Sequence, residues 1–244
     1  MKIKFVHSPN FSQRTSRKIE SIIIHYTGMK TTQDSIKRLK SEKSKVSCHY
    51  LIENNGNIVQ MVRDQDIAWH AGVSYWDGKK GLNNGSIGIE LQNKGEEFGY
   101  EKFREKQISS LIKLINSIKK NYNISDALIL GHSDIAPERK IDPGYLFPWS
   151  KLYQAGIGLM PTVISKNNKE ISKTEIKSLQ LLLRKFGYKI KISELLDKET
   201  LQVLYAFQSH YCPVELKQFK IKRKLLIYLK DLIKAKNISL TKKN

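Results

Sequence analysis

Residues 21–27 read Ser-Ile-Ile-Ile-His-Tyr-Thr, a short continuous apolar run ending in polar residues. Aliphatic side chains on both faces of so short a run predict a buried central strand. Outward from it, residues 46–62 hold two apolar runs around Asn54-Asn55-Gly56-Asn57. The Asn-Gly pair supplies the positive φ angles of a tight hairpin. Residues 86–91 (SIGIEL) and 127–132 (ALILGH) predict two further strands. Between the strands, Ile108, Leu111, Ile112 and Ile115 recur at helical spacing, with Lys and Glu on the other faces. Thr32 is placed to cap a short helix carrying Ile36 and Leu39. Strands mixed with helices predict an α/β domain over residues 1–155, with a mixed central sheet flanked by helices.

The pattern changes after that. Residues 156–171 contain Gly, Pro and polar residues with weak periodicity and read as a linker. Residues 172–244 predict a small three-helix domain. Ile176, Leu179, Leu183 and Phe186 share one helix face, Gly187 ends that helix, and Asp197 caps the next one.

The formal net charge is +20, which predicts an anionic partner, unless it is only a compositional bias towards Lys. Residues 172–244 hold 17 Lys and Arg against 6 Asp and Glu, so a net +11 lies in the last third. Nucleic acid is not the expected partner, because no helix-turn-helix, zinc-finger or RNA-binding sheet motif appears and the Lys residues are not interleaved with aromatics. Acidic cell-wall polymer is the other candidate. Cys48 and Cys212 lie far apart, so no disulfide framework is implied. The first residues lack the apolar core of a secretory signal, and no run approaches the ~20 apolar residues needed to span a membrane.

Five residues carry the chemistry: His25, Glu90, His132, Lys140 and Asp142. His25 ends the first strand, where a sheet holds side chains rigidly. His132 follows the last strand and opens the string GHSDIAPERKIDPG, residues 131–144. Pro137 and Pro143 stiffen that loop and allow it to return Asp142 beside His132. Two imidazoles and one carboxylate leave a fourth position open on tetrahedral zinc, the arrangement of a catalytic site; the alternative is a solvated loop. Alternation along SIGIEL puts Glu90 on the same face as Ser86 and Gly88. Near a metal its carboxylate would accept a proton from water; otherwise it belongs to the polar face of a half-exposed strand.

The strings IIIHYT, AWHAG, SIGIEL and GHSDIAPERKIDPG, in this order, resemble the zinc amidase family of N-acetylmuramoyl-L-alanine amidases, over about residues 20–155. The resemblance implies zinc ligands at His25, His132 and Asp142, a catalytic base at Glu90 and a transition-state stabiliser at Lys140. Trp69 and His70, in AWHAG, are expected to line or support the substrate groove, and Asn83 to position a loop or a sugar. Glu138 stands where relatives often have Gly, which touches no ligand. The activity implied is zinc-dependent hydrolysis of the amide between N-acetylmuramic acid and L-alanine, in peptidoglycan or in (anhydro)muropeptides. The alternative is a non-catalytic peptidoglycan-binding or sensing protein of the same fold. Residues 172–244 resemble the three-helix peptidoglycan-binding domain through LQLLLRKFGY, Asp197-x-x-Thr200 and AFQSHY, although SELL replaces the Gly usual before the Asp. The chain is expected to act as a monomer. The envelope or exterior is the preferred location, with the cytoplasm, suggested by the missing signal, as the alternative. Chemistry is expected wholly in residues 1–155, with the helical domain supplying proximity to polymer.

Overall fold

The computed structural model describes residues 2–14, 18–218 and 221–241. Among them the strands are β1 (Ile3–Phe5), β2 (Phe11–Gln13), β3 (Ser21–Tyr26), β4 (Tyr50–Ile52), β5 (Ile58–Gln60), β6 (Asp66–Ala68), β7 (Tyr75–Trp76), β8 (Lys79–Lys80), β9 (Ser86–Leu91) and β10 (Ile129–Gly131). The α-helices are α1 (Thr32–Lys40), α2 (Gly95–Phe98), α3 (Glu105–Tyr122), α4 (His132–Ile135), α5 (Trp149–Gln154), α6 (Lys173–Phe186), α7 (Lys198–Tyr211) and α8 (Lys224–Thr241).

The strand read first in the sequence, β3, lies inside a six-stranded sheet of order β1-β5-β4-β9-β3-β10. Only β4 and β5, the hairpin around Gly56, run antiparallel, so the sheet is mixed. Its two faces are dressed differently. Ile22, Ile24, Ile87 and Ile89 share one core with Leu111 and Ile115 of α3. Each such fully buried side chain contributes roughly 1.5–3 kcal/mol by leaving water.

The opposite face has two covers. Leu51 and Val59 form a small core with Leu39 of α1. Ile23 and Leu130 share a core with Leu179, Phe207 and Leu229 from the C-terminal helices. Between these covers the same face carries His25 and Glu90. Helix α1 is capped by Thr31, not Thr32: the Thr31 side chain accepts from the Asp34 amide at 3.1 Å, and the chain becomes helical only at Thr32.

Residues 156–171 hold little regular structure. The helices beyond them nevertheless share one apolar core with the sheet. Gly187, which ends α6, lies against β7; a Cβ there would stand 2.7 Å from Trp76, and its φ of +142° is one that side chains rarely adopt. Asp197 caps α7 by accepting from the Thr200 amide at 2.8 Å. Among the described residues no helix is long and apolar enough to cross a membrane.

Candidate metal centre

His25 lies at the end of β3, His132 opens α4, and Asp142 returns on the proline-containing loop. All three are buried. Their facing atoms converge: His25 Nδ1 lies 3.0 Å from His132 Nδ1, and each of these nitrogens lies 3.1 Å from Asp142 Oδ2.

The protons of this cluster can be placed from its neighbours. The Ser86 hydroxyl donates to the Leu82 carbonyl at 2.7 Å, so Ser86 Oγ accepts from His70 Nε2 at 3.1 Å. His70 Nδ1 is then an acceptor and takes the Nε2 proton of His25 at 3.0 Å. That leaves a lone pair on His25 Nδ1. His132 Nε2 lies 3.3 Å from the Ala71 carbonyl and 3.5 Å from Arg139 Nη2, and in the tautomer that donates to Ala71 a lone pair is left on His132 Nδ1 as well. Two imidazole lone pairs and a carboxylate oxygen therefore face one another, an arrangement that a cation resolves. Tetrahedral zinc with bonds of about 2.0–2.2 Å sets its ligand atoms roughly 3.3 Å apart, close to the spacing found. The residues present fit a zinc ion.

The electrostatics agree. Burial, then repulsion from His132, lowers His25 to about 4, so the ring is neutral as a ligand requires. His70 is driven well below its ordinary value by burial, and next by His25.

The cluster opens on a cavity of about 350 Å³ whose wall includes Trp69, His70, Glu90, Lys140 and Arg38. Glu90 pairs with His25 in the β3–β9 ladder and shares its face. Its Oε2 is buried without a hydrogen-bond partner. Burial, reinforced by the Asp142 charge, pushes it up to about 8, with Lys140 and Arg38 pulling the other way. A desolvated carboxylate beside a cluster able to hold a metal is an arrangement for taking a proton from water.

Seven of the residues singled out from sequence thus meet at one cavity, and Asn83 does not line it. Asn83 Oδ1 instead accepts from the His70 and Ala71 amides at 3.1 and 2.6 Å, holding the AWHAG turn. Trp69 is half-buried, with Nε1 donating to Ser12 Oγ at 2.9 Å.

Four contributors were not anticipated as such. Ser86 closes the proton chain behind His25. Gly88 makes room for the His70 ring, since a Cβ there would stand 2.4 Å from His70 Cγ. His49, lowered to about 3 by burial, accepts from the Gly88 amide at 3.0 Å. Arg38 sits at the cavity wall. The alternation of Ser86, Gly88 and Glu90 was the available signal for the first two; the partners of His49 and the place of Arg38 at the cavity leave no local trace.

The profile described as N-acetylmuramoyl-L-alanine amidase matches residues 15–145. The chain is 37% identical over 219 residues to the N-acetylmuramoyl-L-alanine amidase AmiD of Escherichia coli, covering 83% of this chain and 78% of that one. It is 38% identical over 165 residues to the 1,6-anhydro-N-acetylmuramyl-L-alanine amidase AmpD of Haemophilus influenzae, covering 60% of this chain and 88% of that one. The structure of E. coli AmiD with anhydro-N-acetylmuramic acid-L-Ala-D-gamma-Glu-L-Lys superposes with a TM-score of 0.80 at 33% identity, over 92% of each chain.

Proposed function

The chain belongs to the N-acetylmuramoyl-L-alanine amidase family, and from that premise we propose that it hydrolyses the amide joining N-acetylmuramic acid to L-alanine in peptidoglycan fragments. We assign His25, His132 and Asp142 as ligands of one zinc ion, Glu90 as base and Lys140 as transition-state stabiliser. The observation that carries this reading is the convergence of three lone pairs beside the unpartnered Oε2 of Glu90, in one cavity. A protein that only binds wall fragments has no use for a buried carboxylate held without a partner.

When bound, zinc supplies Lewis acidity and brings the pKa of a coordinated water to roughly 7. Glu90 accepts a proton from water as its oxygen adds to the lactyl carbonyl carbon. The ammonium of Lys140 balances the negative charge that develops on the carbonyl oxygen. Glu90 then gives its proton to the L-alanine nitrogen as the C–N bond breaks, leaving a muramic carboxylate and a free stem-peptide amine. His70 and Ser86 keep the His25 tautomer fixed throughout.

The substrate in the AmiD complex supports an anhydro-muropeptide as one substrate. The basic helical segment, 172–244, supports wall polymer as another, through attraction to anionic glycan and hence action in the envelope or outside the cell. Every assigned residue comes from one chain, so the active unit is proposed to be a monomer. Mass spectrometry of products from purified anhydro-muropeptide and from intact sacculi tests the reading. Release of whole stem peptides with free N-terminal L-alanine is expected, stopping when zinc is chelated. Cleavage within the glycan or within the peptide would refute it.

A further inference from the structure

Asp134, two residues after His132, is fully buried and its carboxylate has three donors. The Gly131 amide donates to Oδ2 at 2.7 Å, closing the turn that presents His132. The other two donors come from the C-terminal helical segment. The Tyr188 hydroxyl donates to Oδ1 at 2.6 Å, and His210 Nδ1 meets Oδ2 at 2.7 Å. His210 and Tyr188 are themselves buried. The His210 ring is held between Trp149, stacked at 3.5 Å between centroids, and Tyr211 at 3.8 Å. Within the same turn, the Ser133 amide donates to the Asp142 carbonyl at 2.9 Å, so the turn anchors both loop-borne ligands.

A buried carboxylate without its donors is costly and seeks water or another conformation. Losing Tyr188 or His210 therefore loosens the side chain that holds the Gly131 amide and so the Gly131–His132 turn. We propose that Tyr188 and His210 are positioning residues for the metal centre, through which the C-terminal helices hold His132 and Asp142 in register with His25. The inference rests on the zinc reading above, and it gives the helical segment a role that polymer binding does not require.

The test uses the full chain in four variants: Tyr188→Phe, His210→Ala, His210→Asn and Leu229→Ala. Zinc retention is read by chelator competition, ligand geometry by the visible spectrum of the cobalt-substituted protein, and folding by a thermal melt. Tyr188→Phe removes one hydroxyl and keeps the ring; it is expected to weaken zinc retention on the order of 10-fold, the scale of lost outer-shell contacts, and to alter the cobalt spectrum. His210→Ala is expected to weaken it more, and His210→Asn, which restores an N–H near the Nδ1 position, to recover most of the loss. Leu229→Ala, in the same core but away from Asp134, is expected to lower the melting temperature without changing retention or spectrum. If retention instead follows melting temperature across all four variants, the positioning role is overturned. A wild-type chain that retains no metal overturns the zinc reading and this inference with it, whereas metal-tight variants of a metal-tight wild type overturn only the inference.

Discussion

His25 and Glu90 are partners across one rung of the parallel β3–β9 ladder, so the first proposed metal ligand and the proposed base are set by the same backbone hydrogen bonds. Both side chains leave the sheet on the face opposite α3. Their separation is a property of the sheet, not of a loop, which gives the site a rigid pair around which the loop-borne groups assemble.

Glu90→Gln keeps the shape of the side chain and removes its basicity. Turnover is expected to fall on the order of 100-fold or more, the usual scale for a general base, while about one equivalent of zinc stays bound. Elemental analysis and steady-state rates on the same sample check this. Metal loss would make Glu90 a ligand. In the wild type, kcat/KM is expected to rise with pH as the Glu90 carboxyl ionises, at a value below about 8 because a bound cation favours the carboxylate.

Gly88→Ala sets a methyl group where the His70 ring lies. The ring must shift, and the proton chain from Leu82 through Ser86 to His25 is broken. Zinc affinity is expected to fall by about 10- to 100-fold, measured by chelator competition. Ser86→Ala adds no bulk and removes the acceptor of the His70 proton together with the hydroxyl's bond to the Leu82 carbonyl, so it should act in the same direction and less strongly. Unchanged affinity in both variants would refute the chain.

Without the proposed metal, three lone pairs would face one another. The chelated protein is expected to melt at lower temperature, and zinc to restore it in a concentration-dependent way, as for any ligand bound only by the folded state. Calorimetry with and without chelator checks this, and equal melting temperatures would count against a metal at this cluster.

Burial lowers His49 from 6.5 to about 3, so the folded protein keeps this ring neutral where the unfolded chain protonates it. The unfolded state therefore binds the extra proton between these values, and stability falls as pH drops from 6.5 towards 3. His49→Asn keeps an acceptor for the Gly88 amide and cannot titrate. Its stability-against-pH slope in that window should be shallower than the wild type's by about one proton, measured by denaturant unfolding across pH.

Truncation after about residue 160 exposes Ile23, Leu130, Trp76 and Leu82, which share a core with the C-terminal helices. Separate bodies joined by a linker would leave the first 155 residues folded; a shared core predicts that the truncated chain aggregates or melts far below the full protein. Circular dichroism of the truncated chain decides between them.

Much of this was legible in the sequence because its causes are local. Three consecutive Ile residues announce a strand covered on both faces, and alternation along residues 86–91 assigns Glu90 its side before any fold is known. The prolines around Asp142 announce a loop that returns. What was not legible depends on distant partners. Asn83 is followed by a strand in the sequence, but its oxygen is used by amides 12 and 13 residues earlier. His210 lies on the apolar face of α7, and nothing near it in the chain indicates that its partner is Asp134, 76 residues away. The shared core was hidden for the same reason: an amphipathic helix shows that it has an apolar face, not what the face meets.

The fixed tautomer of His25 bears on which ion the protein selects. On the proposed zinc reading, Ser86 and His70 settle that ring before any ion arrives, and the Asp134 turn holds the backbone from which His132 projects, so the proposed ligands are ordered when the chain folds. An incoming ion meets donors that do not rearrange to suit it. Calcium, which takes six to eight oxygen ligands at longer distances, finds two nitrogens and one oxygen set too close. Small borderline ions that accept nitrogen in low coordination number are served as they come. Selectivity at the proposed centre should therefore be set by stiffness as well as by donor type, and a substitution that softens the turn should broaden the range of ions bound before it abolishes binding.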